Sequence, residues 1–396
     1  MNILALNCGS SSLKYRVYEW PGKVEAAGGE AVRIGPPTAE PARIKHHHNG
    51  QSTTHEIEMP DHSTAFDAVN DILRKDDFQP DVIGHRMVHG GEEFDSHTIV
   101  SEQVMPRLRS VRDLAPLHNP PAMRLLGACR ELYPDIPQVV VFDTVFHSTI
   151  PEYAYTYALP RKLAENQGIR KYGFHGISHQ YVVEQTAQFL EIPHNQFSAV
   201  SCHLGSGGAS LCAVRNGESV DNTMGFSPLQ GLIMSTRCGD LDPAAVLQLL
   251  DRYDIDAERV ENILNRESGV LGLSGTSSDI RDVLGAARSE EDNGQLDEAL
   301  HTYLWRIRKY LGSYLTVTAP SDAIIFTDTV GEQVPEVRSA ICADLDQCGV
   351  SISPTSNRNV DALPVDVAEE HSDVRIIVVS TNEELAIASA TARLAG

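Results

Sequence analysis

The chain has 396 residues, 41% of them apolar, and its 54 Asp and Glu against 32 Lys and Arg give a formal net charge of −22. This length and composition are typical of two or three globular domains with substantial cores. The acidic balance argues against nucleic acid or an anionic membrane surface as a partner, because both would repel the protein. If the substrates are anions, the site must concentrate basic residues locally.

Hydrophobic patterning predicts short strands that alternate with helices, which is typical of an α/β chain. The predicted strands are short, apolar and rich in β-branched residues; they are Ile3–Leu6, Val82–Val88, Gln138–Phe142, Ala199–Leu204, Ala323–Phe326 and Arg375–Ser380. The predicted helices repeat apolar residues on one face; they are Thr64–Arg74 with Ser63 as its N-cap, Ala122–Leu132, His179–Leu190, Pro243–Leu250, Asp297–Leu315 and Glu383–Leu394.

Two polar segments interrupt this pattern. Trp20–Pro60 contains several Pro and Gly residues, Pro37 among them, and is predicted to be an excursion of turns and edge strands. Neighbouring strand residues point to opposite faces, and no acidic residue is spaced to complete a metal site with His46–His48. We therefore expect these histidines in a solvated loop. Arg288–Gly294 is predicted to be a charged surface connection between helices.

Neither a membrane segment nor a signal peptide is predicted. No apolar run reaches the ~18 residues that a membrane-spanning helix needs. The N-terminus has Asn7 and a Gly/Ser turn where a signal peptide needs a positive start and an unbroken apolar segment. We therefore expect a cytoplasmic protein whose seven cysteines, which show no CxxC spacing, are reduced thiols.

Two stretches about half the chain apart, Asn2–Tyr18 and Ser198–Arg215, share one pattern: an apolar strand, a Gly/Ser turn and a returning strand. Glycine lets backbone N–H groups approach an anion closely and serine hydroxyls add donors, so such a tip suits a phosphate. One hairpin alone is usually only a turn. The pair predicts a duplicated fold that closes on a nucleotide or phosphate, with Cys8, Cys202 and Cys212 as core-filling residues on or beside the strands.

The familiar nucleotide motifs GxxxxGK[ST], GxGxxG before a helix, HRD and DFG are absent from the sequence. Basic, acidic and small residues cluster instead in five otherwise apolar segments, which are Gly84–Phe94, Leu114–Ala122, Val141–His147, Tyr172–His179 and Gly225–Pro243. Ligands of α/β proteins bind at strand ends that face a crevice. Any one segment could be a buried polar residue with a backbone partner, but five together predict a site.

These segments resemble those of the acetate kinases. NCGSSSLKY at Asn7–Tyr15 is similar to the family's N-x-G-S-S-S-x-K opening, and the segment from His203 to MSTRCGDLDP is similar to another specific block. GHRMVHGG, FDTVFH, YGFHGISH, SSDIRD and TNEELAIA resemble further blocks, so that the resemblance covers nearly the whole chain.

The resemblance implies an α/β fold of the acetate and sugar kinase, actin and heat-shock chaperone superfamily. That fold has two duplicated ribonuclease-H-like, actin-like ATPase domains with the active site in an interdomain cleft. Residues 1–148 form the implied N-terminal domain, on which the C-terminal helix at 382–396 packs. Residues 149–381 form the implied C-terminal domain, which binds nucleotide and forms a homodimer.

The implied reaction is reversible, magnesium-dependent transfer of the γ-phosphoryl group of ATP directly to acetate, giving acetyl phosphate and ADP; Mn²⁺ is a possible substitute. The implied catalytic residues are Arg86, Asp143, His175 and Arg237. Guanidinium groups hold carboxylate and phosphoryl oxygens bidentately, which suits two anions brought together. Acetate is already ionised at pH 7, so Asp143 is expected to orient an arginine or a magnesium-bound water rather than act as a base.

The resemblance also implies binding residues. Arg86, Val88, Leu117, His118, Phe174 and Pro228 would bind the acceptor, in an apolar pocket too small for long chains. ATP or ADP would be bound by Ser10, Ser12, Lys14, His203, Gly205, Ser206, Gly207, Asp279, Ile280, Arg281, Thr329, Val330, Gly331 and Gln333. Asn7 and Glu383 match the metal side, with Glu384 as the alternative to Glu383. Propionate stays open as acceptor, since one methylene is worth only about 1–3 kcal/mol.

The chain departs from the family pattern on the nucleotide side alone. Ser206 replaces Asn in a turn with one extra residue, Ser235 replaces Gly, and Asp328-Thr329-Val330-Gly331-Glu332-Gln333 stands where the family has G-G-I-G-E-N. These changes add bulk where the purine and ribose should lie. Our hypothesis is an altered donor site, in which ATP binds weakly, shifts, or is replaced by a donor such as pyrophosphate. The alternative is neutral drift with a relaxed backbone.

Two other function classes are disfavoured. A sugar kinase or plain ATPase would call for a catalytic aspartate base and a polar acceptor pocket, whereas the four implied pocket residues are apolar. A non-catalytic scaffold has no use for Arg86, His175 and Arg237 beside an anion-binding hairpin.

Overall fold

The computed structural model describes residues 1–36, 40–252, 255–289 and 294–396. The strands are β1 (Asn2–Cys8), β2 (Ser12–Glu19), β3 (Val24–Val32), β4 (Arg43–His48), β5 (Gln51–Glu56), β6 (Val82–Met87), β7 (Thr98–Ile99), β8 (Gln138–Phe142), β9 (Ala199–Leu204), β10 (Ala209–Arg215), β11 (Glu218–Asn222), β12 (Ala323–Thr327), β13 (Val365–Asp366) and β14 (Arg375–Val378).

The helices are α1 (His62–Lys75), α2 (Val104–Ser110), α3 (Asn119–Leu132), α4 (Glu152–Tyr155), α5 (Arg161–Gln167), α6 (Gly176–Phe189), α7 (Pro243–Arg252), α8 (Ala257–Asn262), α9 (Gly269–Ser274), α10 (Ile280–Ser289), α11 (Gly294–Thr318), α12 (Asp328–Gln333), α13 (Pro335–Cys342), α14 (Pro354–Arg358) and α15 (Glu383–Ala395). Within the described ranges, no helix combines the length and the apolar character needed to cross a lipid bilayer.

The chain divides into two compact units, and the first comprises Met1–Val145 and Asn382–Gly396. Its sheet has the order β5-β4-β3-β2-β1-β6-β8-β7. Strands β1 to β5 pair antiparallel in sequence order, whereas β1, β6 and β8 run parallel. Helices α1 and α3 pack on each other, and α15 packs on β1, β6 and β8. The carboxyl ends of three parallel strands and the start of the last helix thereby belong to one unit.

The second unit comprises Phe146–Thr381. Its sheet has the order β11-β10-β9-β12-β14-β13, with β9, β10 and β11 antiparallel and β9, β12 and β14 parallel. The order β11-β10-β9-β12-β14 repeats β3-β2-β1-β6-β8 of the first unit, strand direction included. The predicted duplicated α/β fold is confirmed, and each predicted hairpin is present as an antiparallel pair, β1 with β2 and β9 with β10.

The predicted strands and helices are all present. Strands β8 and β9 have the predicted ends, whereas the other elements differ at one or both ends. Helix α1 begins at His62, and its N-cap is Asp61, whose carboxylate accepts from the N–H of Thr64 at 2.9 Å. The prediction of Ser63 as N-cap was therefore wrong by two residues. Helix α6 begins at Gly176 instead of His179, which places His175 at its N-cap. Cys8, Cys202 and Cys212 are buried as expected, and burial raises the pKa of Cys8 to about 12.

The expectation of a solvated loop at His46–His48 was also wrong, because these residues form β4. His46 is 5% exposed, and its ring lies between the hydroxyl of Tyr15 at 2.9 Å and a carboxylate oxygen of Asp76 at 2.7 Å. No group of three or more His, Cys, Asp or Glu in the described residues is arranged to hold a metal. The predicted connection at Arg288–Gly294 lies mostly outside the described residues, as does Pro37.

Gly84 allows α15 to pack closely on β6. A Cβ at this position would lie 2.2 Å from Oγ1 of Thr391 and 2.8 Å from Cγ2 of Ile387, both on α15. We expect Gly84→Ala to displace the helix and to destabilise the protein by about 1–3 kcal/mol, measured by denaturant unfolding.

Gly127→Ala is the matched control, since a Cβ there meets nothing within 4 Å on α3. It should stabilise by roughly 0.5–1 kcal/mol through helix propensity. The double variant Gly84→Ala/Thr391→Ala should recover part of the loss. A Gly84→Ala protein as stable as the parent would show that the helix does not need this contact.

Candidate active site

The first unit gathers charged side chains at the carboxyl ends of its parallel strands. Asn7 lies near the end of β1, Arg86 near the end of β6, and Asp143 directly after β8. Glu383 and Glu384 occupy the first turn of α15. Ligands of α/β proteins bind at this edge of a parallel sheet. The fold therefore joins residues that are up to 377 positions apart in sequence.

Hydrogen bonds connect these five side chains. Arg86 donates to Asp143 from Nε, at 3.1 and 3.2 Å, and from Nη2 at 2.5 Å. Nη1 of Arg86 donates to Oδ1 of Asn7 at 3.0 Å. Nδ2 of Asn7 donates to Glu383 and to Glu384, both at 2.9 Å. Asp143 thus orients the guanidinium, and two of its N–H groups are left for other acceptors.

Burial by itself would lower the pKa of Arg86, but the charges of Asp143 and Glu383 outweigh it and raise that pKa above its ordinary value. Arg86 is therefore a permanent cation. Three carboxylates against one guanidinium leave excess negative charge, and the available ligands are hard oxygens. Asp143 already pairs with Arg86, which leaves Glu383 and Glu384. Two carboxylates fit Mg²⁺, because this ion keeps most of its waters and needs few direct protein ligands.

The first hairpin turns at Gly9, Ser10 and Ser11. The N–H of Gly9 donates to the carbonyl of Ser12 at 2.9 Å, and a Cβ at Gly9 would lie 2.7 Å from Oγ of Ser12. Ser10 and Lys14 are exposed, and Lys14 makes no ion pair with another described residue. The hairpin therefore offers hydroxyls and an ammonium group to solvent, as a phosphate would need.

The residues of this unit that are expected to bind the phosphoryl acceptor lie next to two residues, His89 and Asn119, that are hydrogen-bonded to each other. Asn119 donates from Nδ2 to the carbonyl of His89 at 3.0 Å and accepts its N–H at 3.2 Å. Val88, which is buried, precedes His89, and Leu117 and His118 precede Asn119. Leu117 is 51% exposed, so it contributes apolar surface that a ligand can cover.

The second unit places two basic side chains around one small space. A Cβ at Gly208, in the turn of the second hairpin, would lie 3.5 Å from Nε2 of His175 and 3.5 Å from Nη1 of Arg237. His175 has a φ of +58° at the N-cap of α6, and its ring centre lies 4.2 Å from that of His203. Two predicted catalytic residues and the hairpin thus border the same space.

Arg237 differs from Arg86 in its partners. Its Nη1 donates to the carbonyl of Pro228 at 3.3 Å and lies 3.6 Å from Sδ of Met234. It forms no ion pair with a carboxylate within the described ranges. Burial lowers its pKa. A partly desolvated guanidinium without a counter-charge favours binding of an anion.

The nucleotide-side departures contact the tip of the second hairpin. The N–H of Ser206 donates to Oγ1 of Thr329 at 2.9 Å, and Oγ of Ser235 donates to the carbonyl of Gly207 at 3.4 Å. The backbone N–H of Ser206, which a phosphate could otherwise use, already has a neutral acceptor. The three substitutions therefore form two contacts with one loop.

Asp328 also belongs to this site, although sequence reasoning did not select it as a binding residue. One of its carboxylate oxygens lies 3.0 Å from Nε2 of His203, and the other accepts the N–H of Thr329 at 2.6 Å. A Cβ on Gly205 would lie 2.4 Å from the Asp328 carboxylate. The φ of Asp328 is +64°, a conformation that favours the glycine of the family pattern. An acidic residue directly after β12 was the available signal.

The remaining donor-side residues lie in two places. Asp279 precedes α10, and its carboxylate accepts the N–H of Arg281 at 2.9 Å at the start of that helix. Its carboxylate also pairs with the Arg281 guanidinium at 2.6 Å, which lowers the pKa of Asp279. Ile280 is buried at the start of α10, whereas Val330, Gly331 and Gln333 lie on α12. Gln333 lines a cavity of about 450 Å³ beside Arg338 and Arg358.

Phe174 and Pro228 are the residues of the second unit that are expected to bind the phosphoryl acceptor. Their backbone carbonyls contact the side chains of His147 and Arg237. The carbonyl of Phe174 lies 2.9 Å from Nε2 of His147, and that of Pro228 accepts from Arg237. The Phe174 side chain is 1% exposed. The Phe174 side chain is therefore part of the core and presents almost no surface to solvent.

Known proteins share this architecture and sequence. The model of the acetokinase family matches residues 2–389. The acetate kinase of Alkaliphilus metalliredigens is 44% identical over 402 residues, covering 100% of both chains. Among solved structures, the acetate kinase of Porphyromonas gingivalis aligns over 100% of both chains with 35% identity and a TM-score of 0.92. A propionate kinase from Francisella tularensis aligns over 99% of both chains with 33% identity and a TM-score of 0.92. A match over nearly the whole length, in sequence and in structure, means that this chain belongs to the acetokinase family.

Proposed function

We propose that the chain catalyses reversible transfer of the γ-phosphoryl group of ATP to acetate, giving acetyl phosphate and ADP. The observation that carries this proposal is the pair His175 and Arg237, which border one space at the tip of a phosphate-type hairpin. Arg237 has no carboxylate partner among the described residues, so an anion is the complement it lacks. Family membership supports the same reaction.

The proposed mechanism uses residues of both units. The phosphoryl group loosens in the transition state and spreads negative charge over its equatorial oxygens. His175 and Arg237 stabilise that charge, while Arg86, oriented by Asp143, binds the acceptor carboxylate and the phosphoryl group. His118 and Lys14 are supporting donors. Acetate needs no deprotonation at neutral pH, so no residue acts as a general base.

Asn7, Glu383 and Glu384 are the residues that would hold Mg²⁺, or Mn²⁺ in its place. When bound, the ion supplies charge neutralisation for the donor phosphates. The two glutamates accept from Asn7 equally, at 2.9 Å each, which supports assigning both to the metal side.

ATP is the proposed donor, bound by Ser10, Ser12, Lys14, His203 and the turn from Gly205 to Gly207. The nucleoside would contact Asp279–Arg281 and Thr329–Gln333. Acetate is the proposed acceptor, next to the apolar side chains of Val88, Leu117, Phe174 and Pro228. Propionate is the second candidate acceptor, favoured by the likeness to a propionate kinase.

A donor and acceptor panel tests this function. Acetate or propionate is incubated with magnesium and ATP, GTP or pyrophosphate, and the acyl phosphate is trapped as its hydroxamate. We expect turnover with acetate and ATP. Turnover with pyrophosphate alone would replace the donor, and no acyl phosphate from any pair would reject the function.

We also propose that the protein is a cytoplasmic homodimer assembled through the second unit. Large apolar side chains are exposed there, including Leu247 on α7 at 65% and Trp305 on α11 at 70%. Their burial between two copies would remove apolar surface from water.

Replacing either arginine by alanine should lower kcat by roughly 10²–10³, because each removes stabilisation that grows in the transition state. Lysine should rescue little, since it cannot bind bidentately. The two variants should differ in stability. Arg86→Ala breaks the buried ion pair with Asp143 and should destabilise by about 3–5 kcal/mol, whereas Arg237→Ala removes no carboxylate partner and should leave thermal unfolding nearly unchanged. A folded variant with parental kcat would remove that arginine from the mechanism.

A methyl group at Gly208 should block the phosphoryl site without disturbing the fold. The added Cβ would make ordinary contacts, at 3.5 Å, with His175 and Arg237. We expect Gly208→Ala to lower kcat/KM at least ~10-fold by displacing the reacting group, with thermal unfolding unchanged. Gly127→Ala, at a position on α3 that is not among the proposed site residues, is the activity control. Parental kinetics in Gly208→Ala would mean that the phosphoryl group lies elsewhere.

The hydroxyl of Thr329 should compete with the donor phosphates for the N–H of Ser206. Thr329→Val keeps the branched side chain and removes the acceptor, so the KM for ATP should fall roughly five-fold, the equivalent of about 1 kcal/mol for one hydrogen bond. The KM for acetate and kcat should change little.

Thr329→Gly combined with Ser235→Gly separates bulk from hydrogen bonding. A fall in the KM for ATP in this double variant alone would assign the effect to steric crowding. An unchanged KM in both proteins would identify the substitutions as drift.

A further inference from the structure

We infer that Ser210, His179 and Ser201 are positioning residues that fix the tautomer of His175, so that its Nε2 carries the proton. The tautomer follows from the contacts within the second unit. Its importance for phosphoryl transfer rests on the proposed function.

A buried chain of alternating hydroxyls and imidazoles leads to His175. Nδ1 of His175 lies 2.9 Å from Oγ of Ser210, which lies 2.8 Å from Nε2 of His179. Nδ1 of His179 lies 2.8 Å from Oγ of Ser201. Ser210, His179 and Ser201 are each 0% exposed. His179 lies on helix α6 and His175 is its N-cap, whereas the second hairpin supplies the two serines, on β9 and β10.

Each member of this chain has a limited number of protons. A serine hydroxyl has one, so Ser210 donates to one histidine and accepts from the other. Burial lowers the pKa of His179 well below its ordinary value, so this ring is neutral and has one N–H. The hydrogen bonds of this series can therefore point in only two directions. In one, Ser201 is the first donor; in the other, Nδ1 of His175 is the first donor.

Ser201 decides between the two directions. In the part of the chain that the structure describes, Nδ1 of His179 is the one hydrogen-bond partner of its hydroxyl. If Ser201 accepted from His179, its own proton would be buried without an acceptor, at a cost of about 1–3 kcal/mol. Donation by Ser201 avoids that cost. His179 then donates from Nε2 to Ser210, and Ser210 donates to Nδ1 of His175.

The remaining proton of a neutral His175 is then on Nε2. This nitrogen lies 3.5 Å from the Cβ position of Gly208, in the space that Arg237 also borders. A phosphoryl oxygen there meets an N–H donor. The opposite tautomer would present a lone pair to the anion and repel it. The chain therefore acts on the reaction through His175, without contact with substrate.

Nitrogen-15 NMR of histidine-labelled protein tests the tautomer directly. In the whole protein, with the His175 signals assigned by their loss in His175→Asn, two-bond proton–nitrogen correlations should show the neutral Nε2–H form. Ser201→Ala, which leaves His175 and its hydrogen bond to Ser210 in place, should introduce the Nδ1–H form. A parental His175 with its proton on Nδ1, or a Ser201→Ala protein with an unchanged tautomer, would overturn the inference.

Kinetics give a second readout, with Ser219→Ala as the matched control. Ser219 is also 0% exposed and hydrogen-bonds a buried histidine, Nδ1 of His147 at 2.8 Å, outside the chain to His175. We expect Ser210→Ala to lower kcat about 10-fold or more, in line with other residues that orient a functional histidine. KM should change little, and Ser219→Ala should stay within about two-fold of the parent.

The two proposals fail separately. An Nε2–H tautomer that Ser201→Ala disturbs, in a protein without acyl phosphate formation, supports the positioning chain and rejects the proposed function. Active protein with an Nδ1–H tautomer rejects the chain alone. Equal losses in Ser210→Ala and Ser219→Ala would assign the effect to general disruption of the buried network and reject the specific role.

Discussion

The side-chain amide of Asn7 connects the first strand of the protein to its last helix. The arrangement of the candidate site residues in the first unit depends on that connection. Asn7 accepts from Arg86 and donates to two glutamates, so one residue sets the distance between a guanidinium and a pair of carboxylates. The charges of Asp143, Glu383 and Glu384 also act on Arg86 and raise its pKa. The close approach of α15 at Gly84 is what brings these carboxylates to the sheet edge.

The two arginines solve different electrostatic problems. Arg86 has an internal counter-ion that is almost fully buried, so its position is defined before any ligand arrives. Arg237 has neutral partners only, among the described residues, and its burial costs free energy until an anion binds. Arg86 is thus held in a fixed position by its counter-ion, whereas Arg237 is left to attract an anion. In a protein of net charge −22, local arrangement of this kind is the means by which anionic substrates are bound at all.

Sequence patterning predicted what depends on local order. The strand and helix positions follow from apolar periodicity, and the repeated hairpins follow from glycine and serine at matching places. It could not predict the burial of His46, because Tyr15 and Asp76, its partners, are each about 30 residues away. Asp61 and Ser63 are both good N-cap residues, so their order could not be decided from sequence. The contact between Ser206 and Thr329 spans 123 positions, so the sequence gives no sign that these two departures from the family pattern touch each other.

The hydrogen bonds from the tip of the second hairpin to Thr329 and Ser235 have a thermodynamic consequence. A loop held by Thr329 and Ser235 has lost part of its conformational entropy at folding, so a ligand that binds there orders little further chain. For a phosphate bound there, as proposed, binding would be an exchange in which the neutral hydrogen bond from the N–H of Ser206 to Thr329 is broken and a charge-assisted one is formed. The gain from that exchange grows with the charge density of the incoming oxygen. An exchange of this kind would favour ligands of higher charge, and that preference would weaken as ionic strength rises.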